Sequence, residues 1–241
     1  VERSRGLGDV YKRQIAYHEA GHAVCAAVLP TADPLHKVTI IPSGMALGVT
    51  MQLPTEERHI YRQDYIEDML VVRMGGRMAE DLVFDVVSTG ANNDLVGATE
   101  LARKMVREWG MSGRVGPMAW GSQGQVFLGE DLMHTRDYSD DTARVIDEEV
   151  ERILRQAQER CRDVLTENRN GLDLVARALL EHETIDGTEV TRLLELARAG
   201  STSASPSASA VPSSPSALGS MPSSLPSGDA SPFGEGGPAD L

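Results

Sequence analysis

His18-Glu19-Ala20-Gly21-His22 sets two imidazoles four residues apart, with a carboxylate beside the first. The surrounding run from Ile15 to Leu29 is rich in Ala and Val and predicts a helix, which Pro30 and Asp33-Pro34 stop. On a helix a four-residue step is about 1.1 turns, or roughly 6 Å of rise, so both histidines leave one face and can hold a single zinc ion at about 2.0 to 2.1 Å. Glu19 sits one position on, beside such an ion rather than on it. From there its carboxylate can take a proton from a water on the metal, whose pKa falls to about 7, and pass it to a leaving amine. Attack of water on a peptide carbonyl needs that combination. No comparable spacing suggests a hydroxyl or thiol nucleophile triad.

A catalytic zinc usually has three protein ligands and one open position, so a third ligand is required. A histidine six residues beyond His22 would supply it, but Val28 stands there. Cys25 shares the helix face, yet lies about 10 Å of helix rise from His18, too far for His18, His22 and Cys25 to converge on one ion. Cys25 is therefore expected in the core. His36, His59, His134 and His182 have no partner spacing and are expected at the surface or in structural roles. On the residues alone the third ligand is a carboxylate from a neighbouring helix, with Glu80, Asp81 and Asp94 the best placed.

The chain that must position these groups has 241 residues, 41% hydrophobic and only 4% aromatic, which fits one medium domain or two small ones with a helical lean. A net charge of -13 repels a phosphate backbone and an anionic membrane surface alike, so no nucleic-acid partner is expected. Two cysteines without a C-x-x-C spacing point to a reducing compartment rather than a disulfide framework. No window of 18 apolar residues and no export signal is present. The first residue is Val1, as expected for a processed chain or a piece of a longer one.

Along the chain, strands are expected at 37–41 and 47–51, separated by Pro42-Ser-Gly44. Helices follow at about 56–84, loosened at Gly75-Gly76, and at 92–110. A long helix should run from a Ser139 cap to about Asn168, with Ala143, Ile146, Val150, Ile153, Ala157, Cys161 and Val164 as its apolar stripe. Two more helices start near Leu172 and Asp186. Ser and Pro, 13 and 7 residues respectively, dominate 201–241, a composition that predicts disorder. The expected organisation is an N-terminal junction of uncertain origin at 1–14, a domain at 15–199, mainly α with a small β-sheet beside the active-site helix, and a disordered tail at 200–241.

Five blocks carry a family resemblance. Ala16-Tyr-His-Glu-Ala-Gly-His22, Asp33-Pro-Leu-His-Lys-Val-Thr-Ile-Ile-Pro42, Gly75-Gly-Arg-Met-Ala-Glu80, Ser88-Thr-Gly-Ala-Asn-Asn-Asp94 and Thr184-Ile-Asp186 together resemble the peptidase domain of the FtsH family of membrane-anchored AAA+ zinc metalloproteases. The resemblance implies one zinc ion per chain held by His18, His22 and Asp94, with Glu19 as the catalytic base. Glu80, the acidic residue of the Gly-Gly-Arg block, is the alternative ligand or a partner behind a ligand. The small sheet is expected to border the cleft, where an extended substrate adds as a strand. For the whole protein the resemblance implies unfolded, misfolded or membrane-protein substrates, a homo-hexamer, and a place on the cytoplasmic face of a bacterial inner membrane. It also implies ATP used by an AAA+ module. This chain has no G-x-x-x-x-G-K-[ST], so ATP and membrane attachment would belong to other segments.

Two other functions would fit parts of this pattern. One is a non-catalytic ring-assembly domain with vestigial histidines, against which the intact Glu19 argues. The other is a stand-alone hydrolase of small peptides, which would be monomeric and turn over dipeptides quickly.

Overall fold

The computed structural model of the chain describes residues 8–44, 46–120 and 138–202. Residues 203–241 of the expected tail and 1–7 of the junction lie outside those residues, as does His134. The described part is mainly helical. Its elements are α1 (Asp9–Val28), β1 (Leu35–Thr39), β2 (Val49–Gln52), α2 (Gln63–Phe84), a 3-10 turn (Thr89–Ala91), α3 (Asn92–Arg107), α4 (Asp140–Glu167), α5 (Arg169–His182), β3 (Thr184–Asp186) and α6 (Gly187–Thr202).

Helix α1 is the spine of the core. Ala16, Ala20, Ala23, Val24 and Cys25 are fully buried, and small side chains at these positions let α2, α4, α5 and α6 pack around one helix. It begins at Asp9, earlier than the composition suggests, and ends where Pro30 forces Leu29 into an extended conformation (φ -73°, ψ 135°). Its closest neighbour is α2. A Cβ on Gly75 would lie 2.7 Å from the Gly21 carbonyl oxygen, and one on Gly21 would collide with the Gly75 carbonyl. Gly75-Gly76 therefore does not loosen α2, which runs unbroken to Phe84; the conformational entropy cost of glycine is offset by a backbone-to-backbone crossing.

The sheet has the order β2-β1-β3, antiparallel throughout. Val38 pairs with Thr50 on one side and Ile185 on the other. Cross-strand partners share a face, and because Val38 is fully buried that face looks into the core. Only two of the three strands were expected; Thr184–Asp186 is too short to show a period and joins two helices directly. Asp186 closes β3 and caps α6, its Oδ1 accepting from the Glu189 amide at 2.9 Å.

Helix α4 buries five of the seven residues of its expected stripe; Ala143 and Val164 are only partly buried, and Leu165 is buried in addition. Ser139 is the cap, its Oγ accepting from the Thr142 amide at 3.2 Å. Ile146, Val150, Ile153, Ala157, Cys161 and Leu165 are buried, each large aliphatic contributing about 1.5 to 3 kcal/mol. Cys25 and Cys161 meet in this core with their sulfurs 3.7 Å apart and no exposure. Asp68 of α2, 2% exposed, ties three segments together: it pairs with Arg160 of α4 at 2.6 Å and accepts from the Thr31 amide and hydroxyl after α1. Among the described residues no helix is long and apolar enough to cross a membrane.

Candidate metal centre

The crossing of α1 and α2 places His18 and His22 on the α1 face that meets α2 and α3. Gly76 makes room for the first ring, since a Cβ there would collide with the His18 imidazole. The two Nε2 atoms converge to 3.1 Å. Asp94, in the first turn of α3, reaches the same point: its Oδ2 is 3.4 Å from His18 Nε2 and 3.5 Å from His22 Nε2. One ligand atom from each of the three lies within 4.8 Å of the others. Placing Asp94 at a helix N-terminus favours its charged form, because the unpaired amides of that turn carry partial positive charge.

The far nitrogens are also fixed. His22 Nδ1 donates to the Val72 carbonyl at 2.7 Å, which leaves Nε2 as the nitrogen free to face the cluster. His18 Nδ1 donates to Glu80 Oε1 at 2.7 Å. Gln14, one turn earlier on α1, donates to the other Glu80 oxygen at 2.8 Å. Metal-ligating histidines are oriented in this way by an acceptor behind the ring. The donor set, two imidazoles and a carboxylate with both tautomers set, fits a borderline divalent ion such as zinc.

Electrostatics bind the cluster together in the absence of an ion. Burial by itself would disfavour a charged His18, but the carboxylates of Asp94 and Glu80 outweigh it and raise its pKa to about 9. The same exchange works on the acids. Burial opposes ionisation of Asp94 and Glu80, yet the imidazoles of His18 and His22 hold Asp94 far below the usual carboxylate range, and His18, Gln14 and Ser88 hold Glu80 below it.

Glu19 lies on the other side of the cluster, 6% exposed, against β2. Thr50 donates from Oγ1 to Glu19 Oε2 at 2.7 Å, and a Cβ on Gly48 would fall 2.6 Å from Oε1. The register that pairs Thr50 with buried Val38 aims Thr50 at α1. Glu19, His18, His22 and Asp94 share an open cleft of about 780 Å³, walled by β2 and the loop before it, by α2, and by the turn entering α3.

Of the three carboxylates considered for the third position, the fold separates all. Asp94 joins the imidazoles; Glu80 stands behind His18; Asp81 turns away to pair with Arg162 of α4 at 2.6 Å. Cys25 is in the core, and His36, His59 and His182 are exposed. Thr50, Gln14 and the Val72 carbonyl were not foreseen. Gln14 is legible in hindsight, four residues before His18 and so on its face. A backbone carbonyl has no sequence signature.

Residues 7–193 match the family model of peptidase family M41. Over 189 residues the chain is 65% identical to the ATP-dependent zinc metalloprotease FtsH of Acidimicrobium ferrooxidans, covering 78% of this chain and 29% of that protein. It is 50% identical over 189 residues to the ATP-dependent zinc metalloprotease FtsH 2 of Salinibacter ruber, covering 78% of this chain and 28% of that one. With the ATP-dependent zinc metalloprotease FtsH of Nitrosococcus oceani it shares 48% identity over 196 residues, 81% of this chain and 31% of the other. The chain thus spans about three tenths of the length of the curated relatives it matches. Matched by the family model from residue 7 to residue 193, and carrying the motif blocks that first suggested it, the chain belongs to peptidase family M41.

Proposed function

We propose that this chain is the zinc endopeptidase part of an ATP-dependent protease, and that it hydrolyses peptide bonds of unfolded or misfolded polypeptides. The observation that carries the reading is the convergence of His18 Nε2, His22 Nε2 and Asp94 Oδ2 beside Glu19 in one cleft. His18, His22 and Asp94 are the proposed zinc ligands, and the relatives' names specify zinc for those proteins. When bound, zinc supplies a Lewis acid that polarises the scissile carbonyl and acidifies a water molecule.

Glu19 takes the proton from the attacking water and returns it to the departing amine nitrogen. Thr50 holds Glu19 Oε2, so the carboxylate keeps one orientation through both transfers. Glu80 and the Val72 carbonyl orient the two imidazoles. Strand β2 is at the edge of the sheet and lines the cleft, so an extended polypeptide can add along it through backbone hydrogen bonds. All of these groups but Gln14 fall within residues 15–199, which we assign as the peptidase domain, with 200–241 as a tail outside the chemistry. For the whole protein we propose a homo-hexamer on the cytoplasmic face of a bacterial inner membrane, with unfolding driven by an ATPase module outside this chain.

Metal analysis and peptide hydrolysis, run on the chain and on Glu19→Gln, test the core of this reading. The expected result is one zinc per chain in both and hydrolysis only in the first. Hydrolysis surviving in zinc-loaded Glu19→Gln would remove the base assignment.

A further inference from the structure

One charged group in the cleft is unused by this chemistry. Arg73 of α2 lines the cleft next to Val72, whose carbonyl fixes His22. Its guanidinium rests on α3 at Gly97, where a Cβ would lie 2.5 Å from Nη1 and 3.1 Å from Cζ. Gly97 is three residues beyond Asp94 and therefore on the same helix face, so the guanidinium is seated about one turn past the proposed ligand. Among the described residues Arg73 has no carboxylate or carbonyl partner, whereas Arg160 is held by Asp68 at 2.6 Å and Arg162 by Asp81 at 2.6 Å.

A guanidinium stays charged at any physiological pH and presents five donors in a planar fork that matches a carboxylate. Half-buried and unmet, it is a donor set waiting for an acceptor, and a charge-assisted pair is stronger than a neutral one. The location matters because the chain as a whole carries a net charge of -13 and repels anionic segments. A cation in the cleft offsets part of that bias beside the carboxylates of Glu19, Glu80 and Asp94.

We propose that Arg73 is a specificity-determining residue that receives a carboxylate of the polypeptide lying in the cleft. This rests on the peptidase reading for its substrate. The carboxylate has two possible sources, an Asp or Glu side chain near the scissile bond or the α-carboxylate of a chain end. Gly97 is part of the same device, since it gives the guanidinium its seat.

Binding can be measured without turnover by fluorescence anisotropy on the Glu19→Gln chain. Labelled peptides would carry Glu or Gln at successive positions, each with a free or an amidated C-terminus. The expected result is about 10-fold tighter binding of one member of a pair, Glu over Gln or free acid over amide, the pair identifying the source. Adding Arg73→Gln should abolish that preference, Arg73→Lys should keep part of it, and Gly97→Ala should weaken it by displacing the guanidinium without removing its charge. In the chain with Glu19 intact the same ratio should appear in KM rather than kcat. Absence of any preference while Arg73 is present, or a preference that survives Arg73→Gln, overturns the assignment. Preference without hydrolysis in the intact chain would count against the peptidase reading and leave Arg73 in place.

Discussion

Glu80 Oε1 accepts the Nδ1 proton of His18 at 2.7 Å, so this carboxylate stands behind a proposed ligand instead of beside the proposed metal position. Asp94 occupies the front of the same ring at 3.4 Å from Nε2. The two acids therefore make different demands on zinc. Asp94→Ala should remove a ligand and leave the chain largely metal-free after dialysis. Glu80→Ala should retain the site with affinity lowered about 10 to 100-fold, the usual cost of losing an orienting partner. Competitive titration with a chromophoric chelator distinguishes them, and the reverse ranking would exchange their roles.

Thr50 offers a gentler probe of the base. Its hydroxyl bonds Glu19 Oε2 at 2.7 Å and is the contact the sheet supplies to the proposed base. Thr50→Val keeps the β-branched shape and removes the donor. We expect unchanged zinc content and a fall in kcat on the order of 10-fold, about 1.4 kcal/mol, the size of one charge-assisted hydrogen bond. A change confined to KM would place Thr50 in substrate binding rather than in holding Glu19.

The pH behaviour of the metal-free chain follows from the His18 proton. Its folded pKa of about 9 lies above the ordinary 6.5, so the stabilisation is complete below about 6.5 and is lost as pH rises through 9. Asp94 is shifted the other way, so its share is present above its ordinary 3.8 and is lost as pH falls below that. Melting temperature of the metal-free chain should thus be highest between about pH 4 and 6.5 on account of this cluster, and fall towards pH 9. Zinc competes with the His18 proton, and binding at pH 7.5 should release about one proton from that residue. Calorimetry in buffers of different ionisation enthalpy reads that number; zero protons would contradict the ion-paired cluster.

How far these features were legible in the sequence depended on whether a local period encoded them. The Ala and Val run with Pro30 announced α1, and the 3-4 stripe from Ile146 to Cys161 announced α4 with its Ser139 cap. The sequence reads as helical from about Glu56, but α2 starts at Gln63, because the polar residues between them suit a helix yet have no apolar face to bury; most of 53–62 is exposed. Likewise the spacing of His18, Glu19 and His22 is enough to place them together in one cleft. Glu80, Asp81 and Asp94 did not sort themselves, because neighbours on one helix point about 100° apart and only the packing says which faces α1. Glu80 meets His18, Asp81 meets Arg162, and family resemblance rather than local physics singled out Asp94.

The Gly21–Gly75 crossing links the stability of the fold to the proposed metal site. Gly21→Ala gains about 1 kcal/mol in helix propensity, so a surface glycine in its place would be improved by the change. Here the new Cβ would meet the Gly75 carbonyl and approach Ala79 Cβ at 2.7 Å, and neither is a flexible side-chain end. The helices must separate. Overpacking of this kind costs about 1 to 3 kcal/mol and outweighs the propensity gain. Because α2 carries both Glu80 and Val72, separation should also disturb the orientation of His18 and His22. We expect Gly21→Ala to lower the urea midpoint and to bind zinc more weakly, while Gly113→Ala, with nothing within 4 Å of its added Cβ, leaves both unchanged. A Gly21→Ala chain as stable as its parent would mean that α1 and α2 tolerate a wider crossing than the close backbone contact implies.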